Sequence, residues 1–152
     1  MGQIKPRLQA WLQPHHVVAL DTCIWIYHFA ENPDYLSLTT ALLDEISHGK
    51  PAVGSEITLL EVLVRPLQLD QQDIADEYQA LLTHFPNFKL LLPNRDILLQ
   101  AAALRARYKL RTPDAIIIAT AVLSGAGLII TNDLNWKRVE AIDVLCLDEL
   151  CQ

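Results

Sequence analysis

The sequence predicts an α/β fold: a parallel sheet with helices on both faces. Two observations predict it. Five apolar runs of strand length alternate along the chain with segments of helical periodicity. That alternation is the mark of strands joined by helical crossovers, which makes the sheet parallel and leaves its faces to the helices. In addition, the runs Val17-Val18-Ala19-Leu20 and Leu128-Ile129-Ile130 are apolar at consecutive positions, as strands buried on both faces are.

The bulk properties agree with one globular domain. The chain has 152 residues, 51% of them hydrophobic, which is enough for a sizeable core. No apolar run approaches the length of a membrane span. Lys5 and Arg7 are not followed by the apolar region of a signal peptide. Cys23, Cys146 and Cys151 show no metal-binding spacing and no even count, so reduced thiols in a cytoplasmic protein are expected. The net charge of −6 argues against a broad nucleic-acid-coating surface. It does not exclude a small nucleic-acid active site, because carboxylates clustered to hold a metal would themselves add to the negative charge.

Residues 1–14 read as an N-terminal appendage and 15–152 as the single domain. Pro6 starts a short helix through Trp11 and Leu12, and Pro14 stops it. His15 and His16 read as loop, because adjacent side chains diverge on most backbones. Val17–Leu20 is the first strand, followed by Asp21, Thr22 and a helix over Cys23–Phe29. Asn32-Pro33-Asp34 is a turn signal. Leu38, Leu42, Leu43 and Ile46 keep helical spacing, and Gly49 ends that helix.

Pro51–Gly54 reads as the second strand. Ser55 can cap a helix over Ile57–Val64, which Pro66 should end. Residues 70–84 read as a peripheral helix. Phe88–Leu92 is the third strand, closed by Pro93. Residues 94–108 form a helix with a basic tail of Arg105, Arg107, Lys109 and Arg111. Thr112 can cap the next helix, with Pro113 at its first position and Asp114 in its first turn, where the helix dipole favours an anion. That helix is apolar nearly all round, so it should be buried on all sides. Ser124-Gly125-Ala126-Gly127 ends it. The fourth strand stops at Thr131-Asn132-Asp133. Asn135–Arg138 is a loop or single turn, Ile142–Leu147 the last strand, and Asp148–Gln152 a fraying end.

Four acids hold privileged positions. Asp21 ends the first strand and Asp133 the fourth. Glu61 lies in an otherwise apolar helix after the second strand, and Asp114 opens the helix before the fourth. Ligands of open parallel sheets bind at the C-terminal strand ends where the strand order reverses. If the first and fourth strands flank that reversal, the four acids reach one crevice. Carboxylates this close repel by about 4 kcal/mol per pair at ~4 Å and intermediate dielectric, so a cation is needed to keep them ionised together. All-oxygen ligands suit Mg²⁺ or Mn²⁺, which complete their shells with water and substrate phosphate. The implied chemistry is phosphoryl transfer assisted by one or two ions, with an activated water as nucleophile. Thr22, Ser55, Thr131 and Asn132 can hydrogen-bond a carboxylate, a water or a phosphate. Arg105, Arg107, Lys109 and Arg111 are placed to contact a nucleic-acid backbone, the alternative being solvated complements of a helix C-terminus.

The motifs Leu20-Asp21-Thr22, Ser55–Leu63 with Glu61, Thr112-Pro113-Asp114-Ala115 with Ala119-Thr120-Ala121, and Thr131-Asn132-Asp133 together resemble the successive motifs of PIN-domain proteins. They are most similar to those of the small single-domain VapC-like toxins. The resemblance runs from Val17 to Leu147. It implies a three-layer α/β/α sandwich with strand order 3-2-1-4-5. It also implies an endoribonuclease dependent on Mg²⁺ or Mn²⁺ held by Asp21, Glu61, Asp114 and Asp133. Family members are often homodimers, and many are toxins paired with a small antitoxin protein. The segment before Val17 is longer than usual for the family, and the chain is more acidic than most RNA binders.

The alternative is a non-catalytic PIN-like module that binds a protein or RNA partner. Four costly charges kept together disfavour it. A phosphoacceptor signalling domain would need an Asp ending the third strand and a Lys ending the fifth. Leu92-Pro93 and Cys146-Leu147 stand there instead. Gly125-Ala126-Gly127 follows a helix and precedes a strand, the wrong order for dinucleotide phosphate binding.

Overall fold

Successive residues of a strand point to opposite faces of a sheet, and in this chain both sets are apolar. Val18, Leu20, Leu128, Ile130 and Leu145 enter one core; Ala19, Ile129, Val144 and Cys146 enter the other. A sheet buried on both sides needs a helical layer on each, and the chain supplies them.

The computed structural model describes residues 2–152. The elements in order are α1 (Ile4–Leu12), β1 (Val18–Leu20), α2 (Thr22–Phe29), α3 (Leu36–Ser47), β2 (Ala52–Ser55), α4 (Glu56–Gln68) and α5 (Gln72–His84). They continue with β3 (Phe88–Leu91), α6 (Arg95–Tyr108), α7 (Thr112–Leu123), β4 (Leu128–Thr131) and β5 (Asp143–Cys146). Two 3₁₀ turns cover Leu134–Arg138 and Leu147–Leu150. The five strands are parallel, in the order β3-β2-β1-β4-β5. This is the expected fold class and strand order. Trp25 on α2 anchors the first core, its ring 4.8 Å from Phe88 and 5.2 Å from Phe85. α7 fills the second core, with Ala115 through Ala119 all buried.

Some local expectations are corrected. Thr112 does not cap α7: it is the first helical residue, and the extended residue before it is Arg111. Pro113 therefore sits one position further in, still among the N–H positions that a helix leaves unpaired. Pro66 does not end α4, which continues to Gln68. The proline is buried in the last turn, where little helix remains to be disrupted, and its carbonyl accepts from the Gln71 N–H at 2.9 Å. The C-terminal residues do not fray from Asp148. Leu147 and Leu150 are buried, and Glu149 accepts from the Cys146 N–H at 2.9 Å and pairs with Lys137 at 2.6 Å. α1 packs against the domain, with Leu8 and Leu12 buried in the first core.

Gly125 closes α7 in the left-handed region, with φ of 81°. Gly54 has a different reason. A Cβ there would lie 2.7 Å from the Phe88 ring, which is itself wedged against Trp25. Gly54→Ala should therefore overpack the core and lower the unfolding free energy by about 1–3 kcal/mol, read by urea denaturation. A change below about 0.5 kcal/mol would mean that the Phe88 contact is not tight.

Candidate active site

The chain runs outward from β1 through β2 to β3, then returns to the other side of β1 to lay down β4 and β5. The connections leaving β1 and β4 therefore diverge, and a crevice opens at the C-terminal ends of these two neighbours. Leu20 is in register with Ile130, and the Asp21 N–H donates to the Ile130 carbonyl at 2.9 Å. Asp21 and the residues after Thr131 thus emerge side by side.

Asp21 caps α2. Its Oδ1 accepts from the Thr22 N–H and its Oδ2 from the Thr131 hydroxyl, each at 2.7 Å. The residue is 8% exposed and pairs with no cation among the described residues. Burial pushes its pKa up. The hydrogen bonds from Thr131 and Thr22 pull it down, and the charges of Asp114 and Glu61 push it up again, to about 6.

Glu61 comes to the same place from α4. Thr22 Oγ1 donates to Glu61 Oε1 at 2.8 Å and lies 2.9 Å from Thr58 Oγ1. A hydroxyl has one proton, so Thr58 donates to Thr22 and Thr22 to Glu61. Asp114 lies in the first turn of α7, buried at 7% exposure, where the helix N-terminus favours its charge. Arg111 holds both its oxygens, with distances of 3.1 and 3.2 Å. Asp133 caps the 3₁₀ turn after β4, accepting from the Asn135 N–H at 2.9 Å. Its own N–H donates to Thr131 Oγ1 at 3.1 Å, so one hydroxyl ties Asp133 to Asp21.

All four acids line a single cleft of about 440 Å³, together with Thr22, Asn132 and Arg111. Each acid is turned toward its own local donor. Among the described residues, no three His, Cys, Asp or Glu side chains stand in an arrangement that would hold a metal ion directly. Mutual repulsion explains why like charges part in this way. The donor set is all oxygen, and the most buried member at a strand end, Asp21, has no positive partner, so the residues fit a hard divalent cation.

The remaining candidates separate. Asn132 reaches the cleft wall, while Oδ1 accepts from the Asp148 N–H at 3.3 Å. Ser55 is fully buried as the cap of α4, accepting from Ile57 N–H at 3.2 Å, and is not on the wall. Arg105 donates to the Leu110 carbonyl, Arg107 pairs with Glu140, and Lys109 closes α6 in the left-handed region. Of the four basic residues only Arg111 reaches the cleft. Sequence reasoning missed Thr58, although its spacing of three from Glu61 places both on one helix face. It also missed Cys23, Tyr27 and Trp136 on the wall. Burial pushes the Cys23 thiol up, so it stands there as a neutral group.

A model of the PIN domain family matches residues 18–142. No curated protein matches the sequence significantly. Among solved structures, a chain of VapBC2 from Rickettsia felis, bound to a DNA fragment from their promoter, is similar with a TM-score of 0.69. It is 16% identical, and the alignment covers 86% of this chain and 98% of that one. A chain of a toxin–antitoxin complex from Klebsiella pneumoniae is 26% identical with a TM-score of 0.66, covering 86% of this chain and 97% of that one.

The raised Asp21 pKa carries a pH dependence with a definite sign. Between its ordinary 3.8 and about 6 the native state binds more protons than the unfolded one. Stability from this group therefore falls as pH rises through that window, by about 2–3 kcal/mol in total without divalent ions. Asp21→Asn removes the loss, so the variant should gain on the wild type from pH 4 to pH 7 in chelator, measured by urea denaturation. A difference that is flat with pH would contradict the burial of an uncompensated charge.

Proposed function

The chain belongs to the PIN domain family, and from that premise we propose that it is a metal-dependent endoribonuclease that hydrolyses RNA phosphodiester bonds. The observation that carries the proposal is the meeting of Asp21, Glu61, Asp114 and Asp133 on one cleft wall, with Asp21 buried and unpaired to any described cation. In this reading the four acids hold one or two Mg²⁺ or Mn²⁺ ions. When bound, the ion supplies Lewis-acid polarisation of the phosphate and a water of lowered pKa.

The chain's own groups do the rest. Thr131 and the Thr22 N–H fix the Asp21 carboxylate from behind, and Thr22 holds Glu61, so both acids are kept at the cleft wall. Asn132 offers its side-chain N–H to the phosphate, and Arg111 offers the cleft's cation to the RNA backbone. Leu134, Tyr27 and Ile26 give the wall its apolar part.

The reading extends to the toxin of a toxin–antitoxin pair, supported by 26% identity to a chain of a toxin–antitoxin complex. An apolar groove of about 250 Å³ borders the cleft at Glu61 and Ile26 and includes Phe29, Val62, Leu69 and Tyr78. Such a groove suits a segment of a small antitoxin. Leu92, Leu98, Leu99 and Leu123 are exposed around α6 and the end of α7, which suits a homodimer. No helix among the described residues is long and apolar enough to cross a membrane, and the three unpaired cysteines suit a reducing cytoplasm.

Single-stranded RNA incubated with the purified protein in Mg²⁺ or Mn²⁺ should be cut, and chelator should stop the cutting. Asp21→Asn and Asp114→Asn should reduce cleavage to background while remaining folded. Thr22→Val should cost about 10–100-fold, because it releases Glu61 without removing an acid. Uncut RNA with the wild type in both metals would favour a non-catalytic binding module, and cleavage retained in both Asn variants would sink the assignment of the acids.

A further inference from the structure

Arg111 is the sole cationic side chain on the wall of the acidic cleft among the described residues. It is the extended residue just before α7, and no side chain caps that helix. Its guanidinium turns three residues forward instead. Nε donates to Asp114 Oδ2 at 3.1 Å and Nη2 to Asp114 Oδ1 at 3.2 Å. One planar fork thus engages both oxygens of the carboxylate.

The two partners are unequally placed. The Asp114 side chain is 10% exposed and the Arg111 side chain 76%. The carboxylate is fixed in the core at the helix start, while the arginine reaches it from the solvent side with an open path away. Glu61 and Asp133 attract the same guanidinium beyond its contact with Asp114. Arg111 thus sits where the cleft's negative potential is concentrated, as a mobile ion would.

A divalent cation attracted to Asp114 meets that carboxylate already neutralised, and the two positive groups repel at contact distance. Resting on the metal-dependent reading above, we propose that Arg111 is an exchangeable internal counter-ion: it neutralises Asp114 in the metal-free protein, and a divalent cation displaces it. The exchange has two physical consequences. The cleft avoids the full repulsion of four bare acids when no ion is present, at a cost in metal affinity. Once displaced, the guanidinium is free at the cleft mouth, where its N–H fork matches a phosphate of the RNA backbone.

The test is Mn²⁺ binding by calorimetry to the wild-type protein, Arg111→Gln and Arg111→Lys at one pH. These substitutions change an exposed side chain, and thermal unfolding in chelator verifies that each variant is folded. Arg111→Gln should bind Mn²⁺ about tenfold more tightly, because the competing charge is gone. Arg111→Lys, which keeps the charge, should remain close to wild type. An arginine that only holds Asp114 in position would produce the opposite sign, so weaker binding in Arg111→Gln overturns the proposal. Equal affinity in wild type and Arg111→Gln overturns the exchange while leaving the metal reading standing. A wild-type protein that binds no Mn²⁺ overturns both.

Discussion

A carboxylate buried at the end of a central parallel strand is the constraint around which this molecule is arranged. Asp21 follows β1 directly, between the layers that bury the sheet on both sides. Leaving water raises the free energy of its charged form, and the two hydrogen bonds from Thr22 and Thr131 offset only part of that. Bringing Asp114 and Glu61 near it makes the charge harder still to keep. A fold that selected for stability alone would place an apolar or neutral residue there. The unfavourable charge becomes intelligible once the same carboxylate has a cation to bind.

The other parts of the site follow from that position. β4 lies beside β1 because the chain reverses its order there, and this brings Thr131 within reach of Asp21 and Asp133 next to both. α7 is apolar on nearly every side, so it is clamped in the second core and cannot rotate without exposing Ala115 through Ala119. Asp114 inherits that rigidity. α4 carries Thr58 and Glu61 on one face, and the hydroxyl relay through Thr22 links that face to α2. The negative net charge of the chain is consistent with this economy: the cleft concentrates acids, and one arginine stands among them.

Much of this was legible in the sequence. The strand runs, their alternation with helices and the four acids are local signals, and each reads from a few consecutive residues. The features that escaped are set by tertiary context. Pro66 lies within α4 because it is buried near the helix end, where its missing N–H matters little. Ser55 and Thr22 look alike as hydroxyls beside acids, yet Ser55 is committed to the cap of α4 and Thr22 faces the cleft. The basic tail reads as one patch along the chain, but successive residues point different ways, and only Arg111 turns inward. Leu8 and Leu12 carry too weak a pattern in so short a helix to reveal that they complete the first core.

The central claim is that the buried Asp21 charge is completed by a bound cation. It is tested most directly by counting the protons released when Mn²⁺ binds. Calorimetric titrations at pH 6, in two buffers of different ionisation enthalpy, give that number. With the Asp21 pKa at about 6 in the metal-free protein, the account predicts release of about half a proton per binding event at that pH, falling toward zero at pH 8. Binding with no proton release at pH 6 would contradict it.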